Sequence, residues 1–227
     1  MAGNGHSSRN KRLADSAYNS PYTRAGAPSP HPNTDPYAPL RAQALATLEG
    51  MGYNPDTMAE HGVVWAEDQD PFGHVMQSQY MRFLGLCFHR TMESYADYLD
   101  DEEYDGMIKG KTVVPLVRKY DLTINRQVKY PDALIVAFRQ GAIEPTRNSG
   151  TTSLFSLKQQ AIVAEVKGSV TYVHVKSGRP VDIRTLGGGW TNLFEGFTNR
   201  GVLATEMKDK WEKNHPSQKK AGERPKL

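Results

Sequence analysis

The segment from residue 76 to residue 99 constrains the fold more than any other part of this chain. On a helix, its apolar side chains occupy nearly the whole circumference instead of one stripe. They are Tyr80, Met81, Phe83, Leu84, Leu86, Cys87 and Phe88. A helix on a flat sheet buries one face only, whereas a helix that is apolar all round needs a sheet curved about it. The sequence therefore predicts a long buried helix wrapped by a sheet.

The segments after this helix have the pattern of β-strands. Apolar residues run or alternate over residues 113–124, 130–139, 153–159 and 161–175, as they do in strands with one or two buried faces. Residues 141–150 contain Gly, Pro and Asn and predict a loop, and the run 177–180 predicts a turn. An apolar segment at residues 63–66 predicts a first strand. The expected fold class is α+β, with an antiparallel sheet curved around one helix.

Composition divides the chain into a core and two tails. Residues 1–37 combine repeated prolines with Ser, Asn and Gly, so they are predicted to be a disordered tail. Residues 38–185 are predicted to form the domain, with its core at 62–183 and a short helix before the first strand. Residues 186–214 are predicted as a Gly-rich loop and a C-terminal helix over roughly 200–213, and residues 215–227 as a charged tail.

The charge distribution argues against a nucleic-acid partner. Residues 1–41 carry five basic against two acidic residues and residues 208–227 carry seven against three, so the middle of this +3 chain is negative. A single cysteine, Cys87, excludes an intramolecular disulfide and a Cys-rich zinc cluster. We expect no metal, no cofactor and no membrane span. We expect a cytoplasmic protein, or a mitochondrial one because basic residues lie in a nearly acid-free leader.

Asp70 is the position that most suggests chemistry. It follows the first apolar segment, precedes Pro71 and Gly73, and lies just before the buried helix. The unpaired N–H groups of a helix N-terminus favour negative charge there. Asp70 is therefore a candidate nucleophile or general base, or else a residue that forms the turn or caps the helix. Asp68 would share a strand face with Asp70 and repel its charge, although such an acid is more often solvated.

A motif around Asp70 resembles that of a known family. The chain reads Asp-x-x-Gly-His-Val-x-x-x-x-Tyr-x-Arg-Phe, with Asp70, Gly73, His74, Val75, Tyr80, Arg82 and Phe83 at the named positions. Together with the element order, this resembles the hotdog-fold acyl-CoA thioesterases of the 4-hydroxybenzoyl-CoA thioesterase type over about residues 62–183. The run Ser177-Gly178-Arg179-Pro180 is similar to the Gly-Arg-Pro that follows the family's last strand. The resemblance implies a hotdog fold.

The resemblance also implies a reaction and an assembly. An acyl-CoA or acyl-carrier thioester would be hydrolysed to a free acid and a thiol, with Asp70 as nucleophile or general base and helix N-terminal N–H groups polarising the carbonyl. The substrate-binding residues would be Gly73, His74, Val75, Gln77 and Tyr80, of which Tyr80 also fits a core position. Because a free sheet edge tends to pair with a second copy, we expect a homodimer or homotetramer.

The helix departs from the family pattern at its polar positions. Met76 stands where relatives usually have Asn, and no residue replaces the helical Glu, since Glu93 lies two turns too late. Asp70 is then the remaining catalytic candidate. A non-catalytic acyl-ligand binder or scaffold subunit is an alternative, in which exposed aromatic residues would dock on a partner; these are Trp190, Phe194, Phe197 and Trp211.

A third alternative is an (R)-specific enoyl hydratase of the same fold. Its motif resembles Asp-x-Asn-Pro-x-His, but here Asp70 replaces the Asn and His74 comes one residue late. One inserted residue in a tight turn redirects the imidazole, so the pairing of Asp and His that activates water should fail.

Overall fold

The computed structural model describes residues 35–216 and, before them, residues 13, 16, 18 and 20–22. The other residues of the predicted disordered tail lie outside the described residues, as does the predicted charged tail after residue 216. In the described part of the chain, no helix has the length and apolar character needed to cross a bilayer.

A curved antiparallel sheet forms the centre of the fold. Its main strands, in spatial order, are β1 (Ala59–Gly62), β3 (Ala133–Glu144), β4 (Arg147–Ser156), β5 (Ala161–His174) and β2 (Val113–Ile124). The short β6 (Arg179–Pro180) pairs with the end of β5. The helices are α1 (Ala38–Gly50), α2 (Trp65–Asp68), α3 (Gln77–Glu93), α4 (Asp101–Ile108) and α5 (Gly188–Asn214).

Helix α3 lies in the concave face of the sheet. Phe83, Leu84 and Cys87 pack against inward-facing apolar side chains of the strands, which are Leu134, Val136, Leu154, Val163 and Val166. The prediction of a long buried helix wrapped by an antiparallel sheet is thus confirmed. The helix is shorter than residues 76–99, because a 3-10 turn (Ser94–Asp97) follows Glu93, and Met81 is partly exposed to solvent.

Part of the outer face of the sheet is covered by α1, the helix predicted before the first strand. Leu45 and Leu48 pack against Ile135 and Phe155. Beside them a buried ion pair joins α1 to β1: the Arg41 guanidinium donates from Nε and Nη2 to the two oxygens of Glu60, at 2.7 and 2.8 Å. These hydrogen bonds raise the pKa of Arg41.

Helix α5 starts earlier than expected. It begins at Gly188, inside the glycine run assigned to a loop, because Gly189 N–H donates to the carboxylate of Glu103. Trp190 and Phe197 are buried against Tyr95 and Tyr172 within the same chain. The suggestion that these two side chains dock on a partner is therefore wrong.

Two predicted strand boundaries also differ from the structure. Residues 141–150 form the tip of the β3–β4 hairpin, whose turn is at residues 145–146, and not a loop. A Cβ at Gly150 would lie 2.4 Å from the Phe138 ring, so the glycine there gives space to an aromatic side chain and does not break the strand. The first strand precedes residues 63–66, and Trp65–Asp68 is a helical turn.

The two edges of the sheet are different. Beyond the end of β1, α5 packs along β3, where a Cβ at Gly201 would lie 2.7 Å from the carbonyl oxygen of Gly141. At the other edge, β2 pairs with β5 on one side, and no strand among the described residues pairs with its second side. This edge exposes the apolar side chains Leu116, Val117, Tyr120 and Ile124.

The described positions before residue 35 contact the domain. The Tyr18 ring stacks on His89 with centroids 4.9 Å apart, and the Tyr18 carbonyl accepts a hydrogen bond from Arg90 Nη1 at 3.1 Å. Tyr22 Oη donates to Glu49 at 2.6 Å. At these positions the structure differs from the expectation of a disordered segment.

Candidate active site

A tight loop from Gln69 to Val75 joins α2 to α3 and contains Asp70. Its two ends form a β-bridge, and Met76 N donates to the Asp68 carbonyl at 2.8 Å. Val75 N donates to the Val128 carbonyl at 2.8 Å, which ties the loop to the segment before β3. The loop is therefore closed on itself and anchored to the sheet.

The carboxylate of Asp70 organises this loop. Oδ1 accepts hydrogen bonds from the main-chain N–H groups of Phe72 and His74, each at 2.9 Å. This is an Asx turn, with Pro71 next to it and Gly73 at a φ of +76°, a conformation that glycine adopts without strain. Within the described residues, no group donates a hydrogen bond to Oδ2. One oxygen thus holds the turn and the other is available.

The N-terminus of α3 has no cap of its own. Met76 is the N-cap residue, no side chain among the described residues accepts a hydrogen bond from this end, and the first turn contains no acidic residue. Asp70 thus forms the turn and does not cap the helix. The first N–H groups of α3, those of Gln77 and Ser78, keep the partial positive charge of an uncapped helix end.

The other predicted site residues separate into two layers. Gly73 and His74 are half-buried in the loop, and Gln77 is exposed at the first position of α3. Val75 and Tyr80 are buried in the core beneath the loop. Burial raises the pKa of Tyr80, although the neighbouring main chain of Val128 acts in the opposite direction.

Asp68 differs most from the expectation of a solvated acid. Its side chain is 0% exposed, and its Oδ2 accepts a hydrogen bond from Val64 N at 2.7 Å and lies 3.1 Å from His61 Nε2. Because residues 65–68 form a helical turn, Asp68 does not share a strand face with Asp70. Nothing in the local sequence indicates that Asp68 is buried beside His61 and Arg82, because these two residues belong to neighbouring elements.

A cleft lies between the second half of α3 and the inner face of the sheet. Its volume is about 50 Å³, and its lining is mostly apolar, with Leu84, Phe88 and Met92 from α3 facing Phe138, Val166 and Val170. Gly150 and Gly168, neighbours across β4 and β5, form its floor. No residue of the Asp70 loop lines this cleft.

The outer face of the sheet has a more polar concavity. It is an open groove of about 400 Å³, lined by Lys119, Asp121 and Lys167 together with small residues of β4 and β5. Two lysines on an open sheet face are typical of an ordinary solvated surface and do not by themselves indicate a binding site.

Comparison with known proteins agrees with this architecture. The family model described as the Thioesterase-like superfamily matches residues 64–186, which is more than half of the chain. No curated protein matches the sequence at a significant level.

Solved structures with a similar fold include two from Staphylococcus aureus. A DHNA-CoA thioesterase has a TM-score of 0.52 and 12% identity, covering 66% of this chain and 93% of its own. A hypothetical protein solved in complex with CoA has a TM-score of 0.52 and 10% identity, covering 63% of this chain and 84% of its own. At such identities the likeness concerns the fold. The sheet wrapped around α3 is a hotdog fold, and the chain belongs to the Thioesterase-like superfamily.

Proposed function

We propose that the protein hydrolyses an acyl-CoA thioester to a free acid and CoA. Membership of the Thioesterase-like superfamily supports the reaction class. The likeness in fold to a protein solved with CoA agrees with such a substrate. The observation that carries the proposal is the Asp70 carboxylate, whose Oδ1 is fixed by two main-chain N–H groups and whose Oδ2 accepts no hydrogen bond among the described residues, in the loop that leads into the uncapped start of α3.

This arrangement supplies the two requirements of thioester hydrolysis. Asp70 Oδ2 either attacks the acyl carbon, expelling the CoA thiolate and forming an anhydride that water hydrolyses, or takes a proton from the water that attacks. In both routes negative charge develops on the carbonyl oxygen. The N–H groups at the start of α3 are suited to stabilise that charge, and in acyl-transfer enzymes one such donor is worth about 3–4 kcal/mol.

The neighbouring residues would shape the substrate site. Gly73, His74 and Gln77 form the accessible surface around Asp70 and would contact the thioester end of the substrate. Val75 and Tyr80 would support this surface from below, because they are buried beneath it. The subgroup that we propose is the 4-hydroxybenzoyl-CoA thioesterase type, which the motif around Asp70 supports by its resemblance.

We also propose that two copies pair through β2. One side of this strand has no partner among the described residues, and the strand exposes four apolar side chains. Pairing with a second copy would satisfy the free main-chain groups and cover this apolar surface. A homotetramer would be built from such dimers.

The decisive experiment is the Asp70→Asn variant, assayed with aliphatic and aromatic acyl-CoA thioesters for release of free thiol. Asn keeps an oxygen for the two N–H groups of the turn but can neither attack nor accept a proton. We expect kcat/KM to fall by about 10²–10⁴-fold, the usual contribution of such a group.

Asp209→Asn, an exposed carboxylate on α5, is the matched control and should leave activity unchanged. Full activity in Asp70→Asn would refute the mechanism. A wild type that releases no thiol from any substrate would favour the non-catalytic alternative, and hydration of crotonyl-CoA would favour the hydratase.

A further inference from the structure

We infer that Asp68 and His61 are a positioning pair that holds the Asp70 loop in its working geometry. The inference rests on the proposed function for its catalytic consequence, but its structural part stands on the contacts of Asp68 alone. Neither residue touches the reacting atoms in this proposal. Both act through the loop that starts at the residue after Asp68.

The first step is the position of the Asp68 side chain. It is completely buried at the point where three elements meet. Oδ2 accepts from Val64 N at the start of α2 and faces His61 of β1, whereas Oδ1 lies 3.5 Å from Arg82 Nη1 of α3. One carboxylate therefore links the strand before the loop to the helix after it.

The second step is the polarity of the His61 contact. His61 Nε2 lies 3.1 Å from Asp68 Oδ2, and this contact is a hydrogen bond donated by the imidazole in the tautomer that carries a proton on Nε2. The imidazole is also stacked on Phe83 of α3, with centroids 4.5 Å apart. Its orientation is therefore fixed from two directions, and it passes that constraint to Asp68.

The third step connects Asp68 to Asp70. The Asp68 carbonyl accepts from Met76 N, so the residue immediately before the loop is bound to the N-cap residue of α3. The loop between them is held by the Asp70–His74 main-chain pair and by the Asx turn. Displacing Asp68 would shift the loop relative to the helix N-terminus, and thus Asp70 relative to the N–H groups.

Oδ1 of Asp68 points to the same conclusion. It is buried, with no hydrogen bond in the described part of the chain, and Arg82 is within ion-pair distance only. A buried carboxylate oxygen without a hydrogen bond is costly. Retaining this group beside the loop is understandable if the charge holds β1 and α3 together, because His61 and Arg82 both lie next to it.

The test compares Asp68→Asn with Glu60→Gln in the full chain. Both remove a buried negative charge that faces a cationic or imidazole group, but Glu60 pairs with Arg41 of α1, away from the loop. Two quantities are measured: hydrogen exchange at the main-chain amides of Asp70 and His74, and kcat and KM with the acyl-CoA that the wild type hydrolyses fastest.

For Asp68→Asn we expect loop exchange to rise by about tenfold. We expect kcat to fall by up to about 100-fold with little change in KM, as a misplaced catalytic group produces. Glu60→Gln should lower thermal stability and leave both quantities unchanged. His61→Gln keeps an N–H donor, so its loop amides should exchange more slowly than those of His61→Leu. A purely space-filling role for His61 would not produce this difference.

The outcomes separate the two proposals. Equal loop exchange in Asp68→Asn and Glu60→Gln overturns the positioning role, whatever the activity. Normal kcat in Asp68→Asn with a mobile loop also overturns it, because positioning would then not matter for catalysis. If the wild type hydrolyses no thioester, the proposed function fails, while the exchange comparison still supports or overturns the loop anchor.

Discussion

At the residue scale, Cys87 shows how thoroughly the concave face of the sheet encloses α3. Its side chain is fully buried among the apolar residues of the inner core. Desolvation disfavours the thiolate and raises the pKa of Cys87 to about 12, although hydrogen bonding with Thr91 acts in the opposite direction. A thiol that stays protonated does not act as a nucleophile.

This raised pKa predicts a loss of stability at alkaline pH. The unfolded chain releases the thiol proton near pH 8.5, but the native protein retains it, so ionisation above that pH favours unfolding. Below pH 8.5 the stabilisation is fully present. We expect the stability advantage of the wild type over Cys87→Ala to shrink by roughly 1 kcal/mol between pH 8 and pH 9.5.

Urea denaturation of both proteins at the two pH values measures this difference. Because all other titrating groups are shared by the two proteins, their effects cancel in the comparison. A pH-independent difference would mean that the native thiol ionises as readily as the unfolded one.

The same scale shows what the sequence could reveal about the site. Asp70 was recognisable because the Pro and Gly of its turn lie within three residues of it. Asp68 was not, because its burial depends on His61 of β1 and Arg82 of the following helix. From the sequence alone, a carboxylate that is buried by contacts between elements cannot be distinguished from one that is solvated at the surface.

At the element scale, two glycines separate the cost of backbone conformation from the cost of close packing. Gly52, after α1, has a φ of +80°, and a Cβ there would lie 2.4 Å from the Ala204 carbonyl oxygen of α5. Gly178, in the turn after β5, has a φ of +65° and open space around it. The two positions thus share the left-handed conformation but not the contact.

We predict that Gly52→Ala is clearly more destabilising than Gly178→Ala. Both variants incur the left-handed penalty of about 1–2 kcal/mol, and only Gly52→Ala adds an overlap with α5, which costs about 1–3 kcal/mol more. Equilibrium unfolding in urea provides the measurement. Equal losses in the two variants would show that α5 moves away from α1 without cost.

Elements were predictable where their apolar period agreed with their environment. Strands β2 and β5 have such periods and agree closely with the expectation, and helix α3 begins where expected but ends earlier. The tip of the β3–β4 hairpin, predicted as a loop, and the start of α5 were missed because their glycines resemble breaks. In the structure those glycines admit neighbouring groups, such as the Phe138 ring at Gly150 and the Glu103 carboxylate at Gly189, which local sequence cannot reveal.

At the scale of the whole molecule, the pairing of two copies that we propose depends on the free edge of β2. The wild type is expected to sediment as a dimer or tetramer at micromolar concentration, because a monomer would leave Leu116 and Val117 exposed beside unpaired main-chain groups. Val117→Lys places a charge in this edge. It should raise the dissociation constant by about tenfold or more, each tenfold step being about 1.4 kcal/mol.

Leu203→Lys is the control for this prediction. Leu203 is also an exposed apolar residue, but it lies on α5, which packs along β3 at the other edge of the sheet. The control should sediment like the wild type. Dissociation by Leu203→Lys and not by Val117→Lys would place the contact on α5 instead.

The position of α5 along β3 also limits how far the protein can grow by strand addition. The sheet edge on that side has only the four residues of β1 available for pairing, compared with the twelve residues of β2 at the opposite edge. A subunit with a single full-length free sheet edge can pair by strand addition only once, because each copy then covers that edge of the other. The C-terminal helix would thus prevent further strand addition at this edge. The protein would then form a closed oligomer and not an open-ended fibre.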